Sequence, residues 1–476
     1  MTSEPSTASF QRYHINTQNV PDIVAWPNRF LVKVSKVGLA KLLLQEVIKQ
    51  RGDMKAVTSR PCMYGTFSGP VGGFAPRPEC CVGCLRCTTQ HPDMVQILPN
   101  PERQELGDSY FHYKHINAVA YEAETGSIPV KGAGYRGKFG GRGWDGIWTD
   151  MSEIVRPTRD GIHGREFIST VVDIGRKPSY LVFDQAGKPV GITPNTFSIP
   201  LPIIYDMPAI SDDTSLVYEI LSKAASQTQT LSILPISQII RNNLSEKSIV
   251  PVIEPSQFSQ LSQLTFTPKI VEIDASQSSI NELETLVNQF PTSNTPSQFA
   301  IRLSFGKPDF LLEVFNLGFR VFHLVSDLHG RHSDGRFMID LIREAHLTFV
   351  AARRRDEITL IGSGGIVAAE HVPKAIICGL DLVALDTPLL AAMQARFTGE
   401  CFARGTSQIQ LPQQLSVEWG VQRIENMTAA WRDQLLEILG AMGLREIRRL
   451  RGEIGRVMFQ ADLEREAFAD IEGYLE

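Results

Sequence analysis

The chain has 476 residues, 43% hydrophobic and 21% charged, with a formal net charge of −5. That length admits two or three domains of about 100 to 200 residues each, and such ordinary usage excludes a fibrous or wholly disordered class. The mild negative charge excludes the concentrated basic face that nucleic acid or an anionic membrane requires. No run reaches the ~20 apolar residues of a membrane span, and the opening MTSEPSTASF lacks a basic start and apolar core, so a cytoplasmic protein is expected.

Residues 1–60 read as an N-terminal arm and a helix. Val37 to Gln50 carries Leu39, Leu42, Leu43, Val47 and Ile48 at helical spacing, and Gly52 ends it. The turn-rich loop SRPCMYGTFSGPVGGFAPRPE then delivers the chain to a cysteine-rich region, 61–100. Five of the seven cysteines lie between Cys62 and Cys87, a clustering that suggests a metal in a reducing compartment. Cys81, Cys84 and Cys87 form a CxxCxxC run, and Pro92 sits where the ferredoxin pattern CxxCxxCxxxCP has its proline. His91 stands in place of that pattern's fourth cysteine, so Cys62, Cys80 and His91 compete as fourth ligand, with Cys62 the first choice. Two-residue gaps turn successive thiolates onto one compact cluster. A 4Fe–4S cluster therefore ranks above a three-cysteine 3Fe–4S cluster and above structural zinc, which usually takes its ligands as two separated pairs. Free thiols are the remaining reading.

Residues 101–194 read as a connecting segment. Its run GAGYRGKFGGRGWDG suits tight packing better than a phosphate cradle, because no helical pattern follows. The stretch Trp148 to Gly175 mixes Asp150, Glu153, Arg156, Arg159, Asp160, His163, Arg165, Glu166 and Asp173 with apolar residues, as a paired seam or site wall would.

Over 195–400 the pattern becomes short apolar strands between helical stretches. The strands are expected at Leu201 to Tyr205, Leu231 to Leu234, Ile249 to Ile253, Lys269 to Ile273, Phe299 to Ser304, Arg320 to Val325, Glu357 to Gly362 and Leu382 to Leu385. Amphipathic stretches are expected around 213–225, 236–243, 255–262, 279–289, 307–316, 337–353 and 367–378. Eight alternating units predict a (β/α)8 TIM-type barrel, preceded by a small ferredoxin-like iron–sulfur region and followed by C-terminal helices over 401–476. In that tail Trp431, Leu435, Leu436, Leu439 and Met442 share a face, and Arg445 to Arg451 reads as a solvated basic run.

Chemistry in such barrels sits at the C-terminal ends of the strands, with a phosphate commonly held after strands seven and eight. Ser363, Gly364 and Gly365 follow strand seven, ahead of an expected helix start whose N–H groups favour an anion. Ser326 to Arg336, after strand six, holds Asp327, His329 and His332, a cluster more often a salt-bridged loop than a metal or substrate site.

Pro129 to Gly175, with VKGAGYRGKFGGRGWDG and the charged run that follows, resembles the segment entering the flavin-binding domain of glutamate synthase-like proteins of the archaeal-type branch. The resemblance implies an FMN-binding barrel, with Ser363, Gly364 and Gly365 on the phosphate, Thr387 assisting after strand eight, and Arg302 as the catalytic cation where the family places a lysine beside the flavin ring. Arginine keeps that charge with a different geometry. The sequence departs from the family after strands one, two, six and eight, and Asp386 stands where glycine is common. The implied function is an iron–sulfur flavoprotein oxidoreductase with imine-reducing, glutamate biosynthesis-type chemistry on a small-molecule substrate. Thr2 is not the cysteine nucleophile of a glutaminase, and an electron donor or acceptor protein is required. The alternative is a flavin-free barrel serving as a structural or electron-relay subunit of a redox complex.

Overall fold

The computed structural model of the protein describes residues 13–53, 62–69, 71–129, 141, 143–149, 168–177, 182–190, 195–206, 215–288, 298–305 and 308–471. Eight parallel strands close into one barrel: Ile203–Asp206, Ser232–Pro235, Ile249–Ile253, Ile270–Asp274, Gln298–Ser304, Val321–Val325, Thr359–Ser363 and Leu382–Leu385, here strands one to eight. Strand eight closes on strand one with Val383 opposite Ile203 and Leu385 opposite Tyr205. Every predicted strand is present, with ends displaced by at most 2 residues.

The register decides what faces the barrel axis. Asp274, Arg302, His323 and Ile361 are mutual partners across strands four to seven, and aligned residues of parallel strands share a face. Arg302 and His323 therefore point inward. Their neighbour Phe322 points outward, against Phe349 of the helix Met338–Ala351.

At the N-terminal end of the strands, Val172–Arg176 pairs antiparallel with Asn195–Ile199 and closes the floor. There the Gly175 N–H donates to Thr359 Oγ1 at 3.1 Å and Gln298 Nε2 donates to the Asn195 carbonyl at 2.8 Å. Beside this floor the buried Asp381 carboxylate accepts from Lys177 at 2.5 Å, Arg355 at 2.8 Å, Arg451 at 3.1 Å and the Leu360 N–H at 2.8 Å.

The stretch expected as a helix at 255–262 is a 3₁₀ segment, Pro255–Gln263. Serine and glutamine give it little α drive, and Glu254 with Gln257 forms a capping box that fixes its start. The helix expected at 367–378 begins only at His371. The basic run after 445 is solvated at Arg445, Arg448 and Arg449, as expected, while Arg451 turns in to Asp356 at 2.7 Å and Asp381 at 3.1 Å, and Arg448 also reaches Asp173 at 2.9 Å.

Before the barrel, Phe30–Val34 pairs with Val95–Pro99, a strand in the arm that the pattern did not suggest. This pair encloses a small core of Cys81, Val95 and Ile97, with Phe30, Val32, Phe67 and Met94 around it. After the barrel, the 25-residue helix Val417–Ala441 packs on Ser215–Gln227 and Tyr113–Thr125. Its expected apolar face is buried, and it also buries Arg423, which donates to the Ala392 carbonyl at 2.6 Å and pairs with Asp22 at 2.9 Å. Asn426 donates to Gln18 O at 2.6 Å and Ala123 O at 2.8 Å. Among the described residues no helix is long and apolar enough to cross a membrane. Most of the glycine-rich run at 132–146, the charged stretch at 150–167 and the turn at 207–214 lie outside the described residues.

Candidate functional site

Two places collect the candidate residues: the small cysteine unit and the mouth of the barrel. In the first, Cys62, Cys81, Cys84 and Cys87 line one hollow together with Tyr64, Thr66, Phe67, Gly83, Leu85 and Ile97; among the described residues that lining includes neither Cys80 nor His91. The chain is shaped to bring the thiols there. Gly83 takes φ +72°, and a Cβ on it would stand 2.2 Å from the Phe30 ring. Leu85, at φ +58°, holds the left-handed conformation uncommon for a branched side chain, just before the short helix Arg86–Gln90 that carries Cys87.

The sulfurs sense one another. Burial pushes the Cys81 thiol up to about 11; a hydrogen bond from the Gly83 N–H opposes this, and negative charge on Cys87, Cys62 and Cys84 adds to it. Burial likewise raises Cys87, against hydrogen bonds from Thr88. Burial also acts to raise Cys62, but hydrogen bonds from Thr66, Tyr64 and Gly65 outweigh it and leave this thiol below its ordinary value. Backbone N–H groups aimed at sulfur are the supporting contacts of a thiolate–metal site.

A single zinc, with Zn–S near 2.3 Å, draws its four sulfurs to roughly 3.8 Å from one another. Among the described residues, the compact set with ligand atoms all within 4.8 Å is Asp108, His329 and Glu400, and the cysteines do not form one. The four cysteines nonetheless line one common hollow, as the ligands of one metal centre would. The Asp108 set is already occupied by hydrogen bonds: Asp108 Oδ2 lies 2.7 Å from His329 Nε2 and accepts from the Cys401 N–H at 3.1 Å. With the His332–Asp334, Arg336–Asp334 and Arg336–Glu344 pairs, it forms the salt-bridged loop expected after strand six.

At the barrel mouth Arg302 is not free. Its Nη2 donates to Asp206 of strand one at 2.5 Å and its Nε to Glu272 of strand four at 2.6 Å. Glu272 in turn meets His323 Nδ1 at 2.9 Å. Burial acts to raise Glu272, yet His323 and Arg302 prevail and hold it at about 2. Burial acts to weaken the Arg302 cation, and Asp206 and Glu272 more than reverse it, so Arg302 stays charged far above any working pH. A second cation, Arg404, donates from Nη2 to Asp386 at 2.6 Å and to Ser363 Oγ at 3.3 Å, while its Nη1 lies 3.7 Å from Asp206.

The loop after strand seven is packed from all sides. A Cβ on Gly364, at φ +97°, would meet the Asp327 carbonyl at 2.2 Å and Ser326 Oγ at 2.3 Å, and one on Gly365 would meet Gly330 Cα at 2.6 Å. The Gly365 carbonyl accepts from Tyr110 OH at 2.6 Å and Trp144 Nε1 at 2.9 Å, and its N–H donates to Leu328 O at 3.2 Å. The glycines thus serve the approach of the loop after strand six. Gly364→Ala is expected to lower stability by about 1–3 kcal/mol without any added cofactor; an unchanged thermal midpoint would contradict that packing.

These observations test the expected FMN contacts. Ser363 is fully buried against Arg404, and the helix that was to supply N–H donors starts six residues after Gly365. Asp386 does not turn away: its carboxylate accepts from the Thr387 N–H at 2.5 Å and from Arg404. The Thr387 hydroxyl is buried and has no hydrogen-bond partner. Among the described residues, those at this mouth, as arranged, do not fit a flavin phosphate, and Arg302 is engaged by Asp206 and Glu272.

Asp206 and Glu272 were missed by sequence reasoning, although each is a carboxylate at an inward position of a mainly apolar strand, which is a usable signal. Arg404 lies in an irregular segment with no periodicity to place it. Tyr110 and Trp144 reach the mouth from more than 200 residues away in sequence.

A family model described as the conserved region in glutamate synthase matches residues 329–445. An archaeal glutamate synthase (NADPH) of Methanocaldococcus jannaschii is 36% identical over 109 residues, which cover 22% of this chain and 21% of that protein. An archaeal-type glutamate synthase (NADPH) of Dehalococcoides mccartyi is 22% identical over 441 residues, covering 79% of this chain and 86% of the relative. Among solved structures, a mutant flavocytochrome b2 with pyruvate bound is 12% identical at a TM-score of 0.40, over 65% of this chain and 80% of that one.

Proposed function

We propose, for a chain that is glutamate synthase-like along most of its length, that it works as an iron–sulfur redox protein whose electron carrier is held by Cys62, Cys81, Cys84 and Cys87. The observation that carries this reading is the convergence of those four thiols on one hollow with N–H donors behind them. A bound cluster would take up and release single electrons. The chain's part is to hold it and tune it. Donors from Gly83, Thr88, Tyr64, Gly65 and Thr66 spread negative charge off the sulfurs, which favours the reduced state. Phe67, Leu85 and Ile97 limit water at the hollow.

The working partner is an external electron donor or acceptor protein. The barrel-mouth geometry gives no support to a flavin step, so no step is assigned there. The same observation favours the second reading, in which the barrel is the scaffold of an electron-relay subunit.

Anaerobic purification followed by iron and sulfide assay tests the proposal, with about four of each per chain expected for a 4Fe–4S cluster. Cys62→Ser is expected to lose the cluster absorbance and most of the iron, while Cys80→Ser keeps both. The reverse pattern, or a wild-type protein carrying zinc and no sulfide, would sink the assignment.

A further inference from the structure

The barrel mouth holds more anionic charge than a flavin site can use. Arg302 and Arg404 face the carboxylates of Asp206, Glu272 and Asp386, so two guanidinium groups meet three carboxylates. All three acids are buried, at 2%, 1% and 1% exposure, so solvent does not screen them. An FMN phosphate would bring a charge of about −1.5 to −2. It would have to displace a carboxylate already bonded to both nearby donors, Arg404 and the Thr387 N–H.

We infer that this barrel is closed to flavin by its own side chains, with Asp386 standing as a built-in anion where a flavin phosphate would lie and Asp206 with Glu272 taking up the Arg302 cation. Asp386 takes up the Arg404 guanidinium and the Thr387 N–H from within the chain, while the Thr387 hydroxyl stays unpartnered. On the ring side, the Arg302 Nε and Nη2 donors are taken by Glu272 and Asp206, whose two carboxylates offset its single positive charge. The barrel is then an architectural element whose mouth supplies its own counter-charges. This deepens the relay reading of the barrel and stands apart from the cluster assignment, because iron and sulfide are read separately on the same samples.

The experiment is equilibrium dialysis of the full-length protein against FMN, riboflavin and inorganic phosphate, with iron content and far-ultraviolet circular dichroism recorded on each sample. Wild type is expected to retain neither FMN nor phosphate. Asp386→Gly, which leaves Arg404 unopposed at that place, is expected to bind FMN at least about tenfold more tightly than riboflavin, or else inorganic phosphate tenfold more tightly than wild type does, about 1.4 kcal/mol. Asp386→Asn keeps an acceptor for the Thr387 N–H and serves as the second variant if the glycine form does not fold. One FMN bound per wild-type chain would overturn the inference. So would folded Asp386 variants that gain no affinity for either phosphate-bearing ligand. Should neither variant fold, wild-type dialysis alone decides between closure and an open site.

Discussion

Replacing Asp381 with alanine is expected to destabilise the chain by about 3–5 kcal/mol, because breaking a buried ion pair from one side leaves uncompensated charge behind. Three cations converge on this carboxylate, from Lys177, Arg355 and Arg451, and Arg355 is itself buried. Burial acts to raise Asp381, but Arg355, Lys177 and Arg451 outweigh it and hold the group well below the usual carboxylate range. The sign follows: a depressed folded-state value gives stability that is fully present above the unfolded carboxylate pKa of about 3.9 and is lost as pH falls through the folded value. In urea the midpoint should drop with little change in slope. A loss under about 1 kcal/mol at neutral pH would mean that the floor of the barrel does not depend on this cluster.

The second large effect concerns Arg302. Arg302→Met keeps an unbranched apolar stem and removes the guanidinium and its charge, leaving Asp206 and Glu272 buried without their shared counter-ion, so a loss of about 3–5 kcal/mol is expected in protein that has never met a cofactor. Glu272 sits at about 2, against an ordinary 4.5, and at 1% exposure that shift corresponds to roughly 3 kcal/mol of stability. This contribution is present above the unfolded pKa near 4.3 and disappears as pH falls toward 2. With His323 its remaining support, Glu272 should protonate at higher pH in the variant, moving acid unfolding upward. Acid titration followed by tryptophan fluorescence measures both. Unchanged stability and an unchanged acid midpoint would return Arg302 to the role of a cation held ready for a ligand.

The barrel was legible because each strand is a short apolar run with an abrupt end, so two of them, Ile249–Ile253 and Leu382–Leu385, fall on their expected residues. The cysteine unit was legible in its spacing, but that Cys62 rather than Cys80 or His91 lines the hollow with Cys81, Cys84 and Cys87 depends on how the loop folds back, which spacing does not encode. The mouth was legible only in part. Ser363, Gly364, Gly365, Arg302 and Thr387 are adjacent to it as expected, yet their partners Asp206, Glu272, Tyr110, Trp144 and Arg404 come from distant segments. The glycines were ambiguous for a physical reason: a backbone that lets a phosphate approach equally lets another loop approach, and residues 326–330 lie against them here.

The helix Val417–Ala441 also has a temporal meaning. Its Asn426 and Arg423 fix the arm around Gln18 to Asp22 across about 400 residues of chain, as the Gln18–Asn426 separation of 408 positions records. During synthesis at about 5–20 residues per second, the arm must therefore wait some 20 to 80 seconds for those partners to be made. Contacts of such long sequence separation form late. A chain truncated before residue 417 would hold all eight barrel strands yet lack the partners that fasten residues 18–22.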